Sequence, residues 1–319
     1  MIHPHFLKKP HRLRTLMMVA VLVSFGGSAR SHSQGRQPGP EVKLTVTITD
    51  KNGRYVGALT KEQVSLWDEK VQQDITAFQE ESRVPSSIGF VVDTTRLKQT
   101  DLFNVFTATL TEFLAASGPN HEYFMISFDS KPNLITDLTQ NRNQIISDFV
   151  KLPAIAESNK RALSDALHLA IEKSETTNKP KHVILLISDD KDEASNLKRT
   201  EIVTALKKSD VLVYAIRVVL PGGTNMQSSF LNELSLVTGG MAFSPKSTVE
   251  FRDVMERLAL ELQHQYLVAF RPTGDGRLGD WHRLELRVEP LEVKEKASSK
   301  DFKKVALFAR TRDGYYVGK

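Results

Sequence analysis

The chain has 319 residues, enough to bury a full core, and its 40% hydrophobic and 25% charged residues are those of an ordinary globular protein rather than a disordered or fibrous one. The formal net charge is +5, but four Lys or Arg and no acid lie in residues 1–29, so the remainder carries only +1 and the basic pI gives no reason to expect a nucleic-acid partner. There is no cysteine, which excludes disulfides and a lipid-modified N-terminal cysteine.

Lys8, Lys9, Arg12 and Arg14 precede an apolar stretch from Thr15 to Gly27, and the small residues Gly27, Ser28 and Ala29 follow. That is the plan of a secretory signal peptide over 1–29, which places the protein in a secreted or periplasmic, cell-envelope location. The apolar core is shorter than the about 20 residues of a spanning helix, so no stable membrane insertion is expected after cleavage; retention as an uncleaved anchor is the alternative. Residues 30–40 read as a polar linker.

Leu44, Val46 and Ile48 alternate with Thr45, Thr47 and Thr49, which predicts a half-buried strand with one apolar face. Asn52 and Gly53 supply a hairpin turn. Thr60 to Gln63 has the form of a capping box opening one helical turn. Val64, Leu66, Val71, Ile75 and Phe78 continue in short β pieces, so 41–83 reads as an N-terminal antiparallel β unit.

The stretch from Ser87 to Val92 is continuously apolar apart from its first residue and ends in Asp93, Thr94 and Thr95. Such a run predicts a strand buried on both faces of a parallel sheet. A helix is expected over 98–117, a strand at 123–128, an edge strand at 134–138, and helices at 141–150 and 162–171. A second buried strand at 182–188 ends in Asp189 and Asp190. Helix 197–206, strand 211–217, helix 228–236, a short strand at 239–243 and a closing helix from Phe251 to Leu262 complete an 84–265 unit. Alternation at these intervals predicts an α/β fold with a doubly wound, mostly parallel sheet. Period-two patterns return at 266–270, 282–288 and 304–309, so 266–319 is expected to pack as C-terminal strands against 41–83.

Ligands in open α/β sheets bind outside the carboxyl ends of the strands, so Asp93 and Asp189 are candidates to converge on one crevice if their strands are neighbours. Asp93 and Thr95 could supply oxygen ligands to Mg2+, Mn2+ or Ca2+, or could simply cap the following helix. Asp190, Asp192 and Glu193 read as an exposed acidic turn. The five histidines beyond the linker, His121, His168, His182, His264 and His282, show no metal-ligand spacing. Residues 274–279 match G-x-G-x-x-G but precede a strand pattern, so they read as a hairpin loop rather than a dinucleotide site.

The order of Leu44 to Asp50, Gly57 to Thr60, Phe90 to Thr95, Ala162 to Leu167, Leu186 to Asp190, Tyr266 to Phe270 and Ala309 to Tyr316 resembles von Willebrand factor A-related domain proteins, most closely the type described from Acidobacteria. The resemblance implies a von Willebrand A, Rossmann-like fold and a metal-ion-dependent adhesion site of five ligands. Three of these fall on Asp93, Thr95 and Asp189; the remaining two positions hold Leu97 and Arg161, so the site is degenerate. Three states follow: Mg2+ or Mn2+ held by Asp93, Thr95 and Asp189, a metal-free crevice in which the Arg161 guanidinium satisfies both carboxylates, or loops that are simply solvated. The function implied is a non-enzymatic binding or adhesion module, with a protein partner of unknown identity contacting Arg161 and Asp190. A metal-dependent secreted hydrolase using Asp93 and Asp189, or a structural envelope protein with a vestigial crevice, are the alternatives.

Overall fold

A computed structural model describes residues 40–81, 84–97, 102–118, 120–152, 158–218, 229–273, 276–294 and 302–318. The expected leader, all of the linker but Pro40, and the expected helix start at 98–101 lie outside these residues. In chain order the elements are β1 (Val42–Asp50), β2 (Val64–Asp68), β3 (Val71–Gln73), β4 (Ile75–Glu80), β5 (Ser86–Asp93), α1 (Thr94–Leu97), α2 (Leu102–Ala116), β6 (Glu122–Phe128) and β7 (Pro132–Thr139). They continue as α3 (Arg142–Lys151), α4 (Leu163–Glu175), β8 (Lys181–Ser188), α5 (Arg199–Lys208), β9 (Val211–Arg217), α6 (Ser229–Thr238), β10 (Ala242–Phe243) and α7 (Thr248–Glu261). The chain closes with β11 (Gln265–Phe270), β12 (Trp281–Val288), β13 (Leu291–Lys294), β14 (Phe302–Val305), β15 (Leu307–Arg310) and β16 (Gly314–Tyr316).

The central sheet has the order β10-β9-β8-β5-β6-β7 and is parallel except for the antiparallel edge strand β7. Every residue of β5 is buried, which is why its sequence shows no polar alternation. One face of the sheet packs Ile88, Phe90 and Val92 against Phe106 of α2, Phe149 of α3 and Phe251 of α7. The other packs Val91 and Ile184 against Leu167 of α4, Ile202 of α5 and Phe230 of α6. Gly89 is required here: a Cβ would sit 2.1 Å from the Phe124 ring, which fills the place of the missing side chain. Helix α3 starts at Asn141, whose side chain accepts from the backbone N–H groups of Asn143 (3.1 Å) and Gln144 (3.3 Å). Asn141→Ala is expected to cost about 1 kcal/mol in a urea-denaturation series.

The terminal segments build two further four-stranded sheets, β15-β1-β11-β4 and β16-β12-β2-β3. Antiparallel pairs β1 with β11 and β15, β11 with β4, and β12 with β2 join the two ends of the chain as expected. Leu44, Val46, Ile48, Leu66, Tyr266, Val268 and Phe270 form the core of this unit. Inside it, Asp68 accepts from the Tyr315 hydroxyl (2.7 Å) and lies 2.9 Å from Nδ1 of His282, so this histidine has a structural role.

Two expectations need correction. The single strand over 304–309 is broken at Ala306: β14 pairs with β13 in a separate two-stranded sheet, while β15 pairs with β1. The threonine side of β1 is also not a solvent face, since Thr47 is buried against α7, where its hydroxyl donates to Glu261 (3.1 Å). Among the described residues no helix is long and apolar enough to cross a membrane.

Candidate functional site

Strand β5 lies between β6 and β8, with Val92 opposite Ile187 on β8. The chain runs from β5 to β6 on one side and later returns to β8 on the other, so the strand order reverses beside β5. That reversal opens a crevice at the carboxyl ends of β5 and β8, where the connecting segments diverge to opposite faces. Asp93 ends β5 and Asp189 follows β8, so both acids stand at neighbouring strand tips.

Their oxygens are used differently. Oδ1 of Asp93 accepts from the backbone N–H (2.9 Å) and the hydroxyl (2.6 Å) of Thr95, so the capping contact at the start of α1 is present. Oδ2 is buried without a hydrogen-bond partner and faces Nε of Arg161 at 3.7 Å. Nη2 of Arg161 donates to Oδ2 of Asp189 (2.9 Å), and Nη1 donates to the carbonyl of Asn159 (2.6 Å) and to Glu193 (3.4 Å). Arg161 is 4% exposed and Asp93 only 2%. Burial pushes the Asp93 carboxyl up to about 6; the Thr95 hydrogen bonds pull it down, the Asp189 charge pushes it up, and Arg161 pulls it down.

The residues present do not fit a divalent cation. A guanidinium stands between the carboxylates of Asp93 and Asp189, and among the described residues no group of three His, Cys, Asp or Glu could hold a metal. Thr95 spends its hydroxyl proton on Asp93. Leu97 lies in α1, and its side chain is outside the description.

In the acidic turn after β8 Glu193 is exposed as expected, whereas Asp190 and Asp192 are half-buried. Asp192 accepts from the N–H of Leu163 (3.1 Å) and the hydroxyls of Ser164 (2.6 Å) and Ser195 (2.5 Å). It thereby caps α4, whose own N-cap residue, Ala162, has no side chain able to do so. Glu193 binds both the N–H and the guanidinium of Arg161. Asp190 takes a left-handed backbone (φ 76°), its N–H donates to Ser188 (3.2 Å), and its buried Oδ1 has no hydrogen-bond partner. It does not touch Arg161 through any of these bonds.

A residue the sequence reading passed over is Asp129, which follows β6 as Asp189 follows β8. Its carboxylate accepts from the N–H of Ser158 (3.2 Å), and its carbonyl accepts from the N–H of Ala162 (2.6 Å), so it fixes the segment that delivers Arg161. The acid directly after a buried run was the available signal.

No family model matches the sequence, and no curated protein matches it. Among solved structures, the chain is similar to proximal thread matrix protein 1 from the mussel byssus, at 16% identity over 61% of this chain and 51% of that one (TM-score 0.50). It is also similar to a von Willebrand factor type A protein from Catenulispora acidiphila (8% identity, 88% and 75% covered, TM-score 0.48) and to the conserved hypothetical protein BatB from Bacteroides thetaiotaomicron (14%, 56% and 98%, TM-score 0.44). The chain spans about half of the mussel protein. The likeness is one of fold, that of a doubly wound, von Willebrand A-like sheet.

Proposed function

We propose that the chain is an exported binding module that holds a protein partner at the loops ringing the β5–β8 crevice. The supporting observation is the convergence of three segments, after β5, before α4 and after β8, on one buried guanidinium at the carboxyl edge of the sheet. Loops positioned by a rigid sheet are where recognition residues concentrate. The organisation carried with this reading is a leader over 1–29, a linker over 30–40, and a von Willebrand A-like unit over 84–265 beside a β unit from 41–83 and 266–319. Asp190 sits on the rim of the crevice, while Arg161 acts from beneath it. A hydrolytic role for Asp93 and Asp189 has no specific support, because Arg161 withdraws the two carboxylates that a phosphoryl-transfer metal would need.

A photo-crosslinking side chain at position 190 tests this against one at Leu278, which is 83% exposed on the β unit. In whole cells producing the full chain, a discrete cross-linked protein is expected from position 190 and not from 278. Equal capture from both, or none from 190, counts against the reading.

A further inference from the structure

The crevice disagrees with the divalent cation that the family resemblance implies. Two carboxylates brought together away from water need a positive charge between them if both are to stay ionised, and a bound ion or a basic side chain can provide it. Here the side chain is present. The Arg161 guanidinium reaches Asp189 (2.9 Å), Glu193 (3.4 Å) and the Asn159 carbonyl (2.6 Å), with Nε facing Asp93 at 3.7 Å. The Arg161 peptide is engaged as well. Its carbonyl accepts from the N–H groups of Glu193 (3.0 Å) and Ala194 (2.8 Å), and its own N–H donates to Glu193 (3.2 Å).

We infer that Arg161 is a tethered counter-ion, so that this crevice is assembled and held independently of divalent cations. A side chain cannot dissociate, so the loop geometry does not depend on ion concentration or on chelators. The planar fork also matters: it addresses carboxylates on two strand tips and a carbonyl in different directions, which a single ammonium point charge cannot do. An ion in a crevice can leave a coordination position open to a partner's carboxylate, whereas this guanidinium is almost wholly buried. Partner contacts therefore fall on the exposed rim, where Lys160, Lys191 and Glu193 stand. That last step alone rests on the proposed binding function; the cation independence does not.

The experiment uses the full chain with manganese alone as the probe. For the unaltered protein, millimolar MnCl2 or EDTA is expected to leave the melting temperature within about one degree, because no native-state site gains the ion. The free-Mn2+ electron paramagnetic resonance signal should likewise stay undiminished. Arg161→Ala is expected to melt several degrees lower in EDTA, and Mn2+ should restore at least about 3 °C by occupying the exposed carboxylate pair. Arg161→Lys, which keeps the charge without the fork, is expected to melt below the parent too. A manganese-dependent rise in the unaltered protein overturns the inference. So does an Arg161→Ala or Arg161→Lys protein that melts at the parental temperature in EDTA, or an Arg161→Ala protein insensitive to manganese. If Arg161→Ala fails to fold, the Lys variant and the unaltered protein still decide. Failure of cross-linking at position 190 would remove the partner reading and leave these melting curves untouched.

Discussion

Glu261→Ala is expected to destabilise the protein by about 3–5 kcal/mol, the cost of leaving a buried charge without its partner. Glu261 ends α7 and is fully buried, and its carboxylate is met there by polar groups. It accepts from the hydroxyls of Tyr214 on β9 (2.6 Å), Thr47 on β1 (3.1 Å) and Tyr55 (3.2 Å), and pairs with the guanidinium of Arg310 on β15. Gln265 on β11 closes the ring by donating to both Thr47 (3.1 Å) and Tyr214 (3.0 Å). One carboxylate thus ties the parallel sheet to the strands built from the two chain ends. Removing it takes the carboxylate partner from Arg310, whose side chain is 19% exposed and keeps the Gly239 carbonyl, and leaves the Thr47 and Tyr214 hydroxyls to find other acceptors, while Tyr55 retains the Arg257 carbonyl (3.1 Å).

The same geometry makes Glu261→Gln a useful contrast. An amide of nearly equal size must present N–H groups where hydroxyls and a guanidinium already donate, so it should also destabilise, whereas a packing role would make it nearly silent. Burial, followed by the Glu261 charge, pushes the phenols of Tyr55 and Tyr214 upward, so both stay protonated as donors. Calorimetry should show the alanine variant melting roughly 10 °C below the parent. A change of a degree or less would mean that the two units are held together by something else.

How much of this was readable in advance follows from the range of each signal. Strands β5 and β8 were legible because burial on both faces leaves an uninterrupted apolar run, and the acids at their ends stand where a doubly wound sheet opens. The approach of Arg161 to Asp93 and Asp189 followed from matching three separated segments to one fold. The partners of the neighbouring acids were not legible, because Asp192 and Glu193 look like any solvated charge run until α4 is seen to begin at Ala162 without a cap of its own. Glu261 was hidden for a related reason. In the helical pattern it is one acid beside Leu258 and Leu262, and its partners are up to 214 residues away along the chain. The threonines of β1 carried the only hint, since a polar strand face can meet another polar surface as well as water.

The second large effect is a pH dependence centred on Asp93. Burial raises its folded pKa to about 6 from an unfolded value of 3.8, a difference of about two units, or on the order of 3 kcal/mol. Below about pH 4 the carboxyl is protonated in both states, and the folded protein has its full advantage from this group. Between about pH 4 and pH 6 the folded state keeps a proton that the unfolded chain releases, so stability from this group falls as pH rises. Above about pH 6 the carboxyl is ionised in both states, and the folded protein carries a buried charge answered only by Thr95 and by Arg161 at 3.7 Å. Asp93→Asn retains an acceptor for Thr95 and cannot ionise. Urea unfolding of parent and variant at intervals from pH 4 to pH 7 reports this group together with its coupling to the Asp189 charge, the other titrations being common to both. The stability of the parent relative to Asp93→Asn should decline by up to about 3 kcal/mol across that window, with most of the change between pH 4 and pH 6. A flat difference would mean that the Arg161 guanidinium already neutralises Asp93 as fully as it does Asp189, and that the 3.7 Å gap is closed in solution.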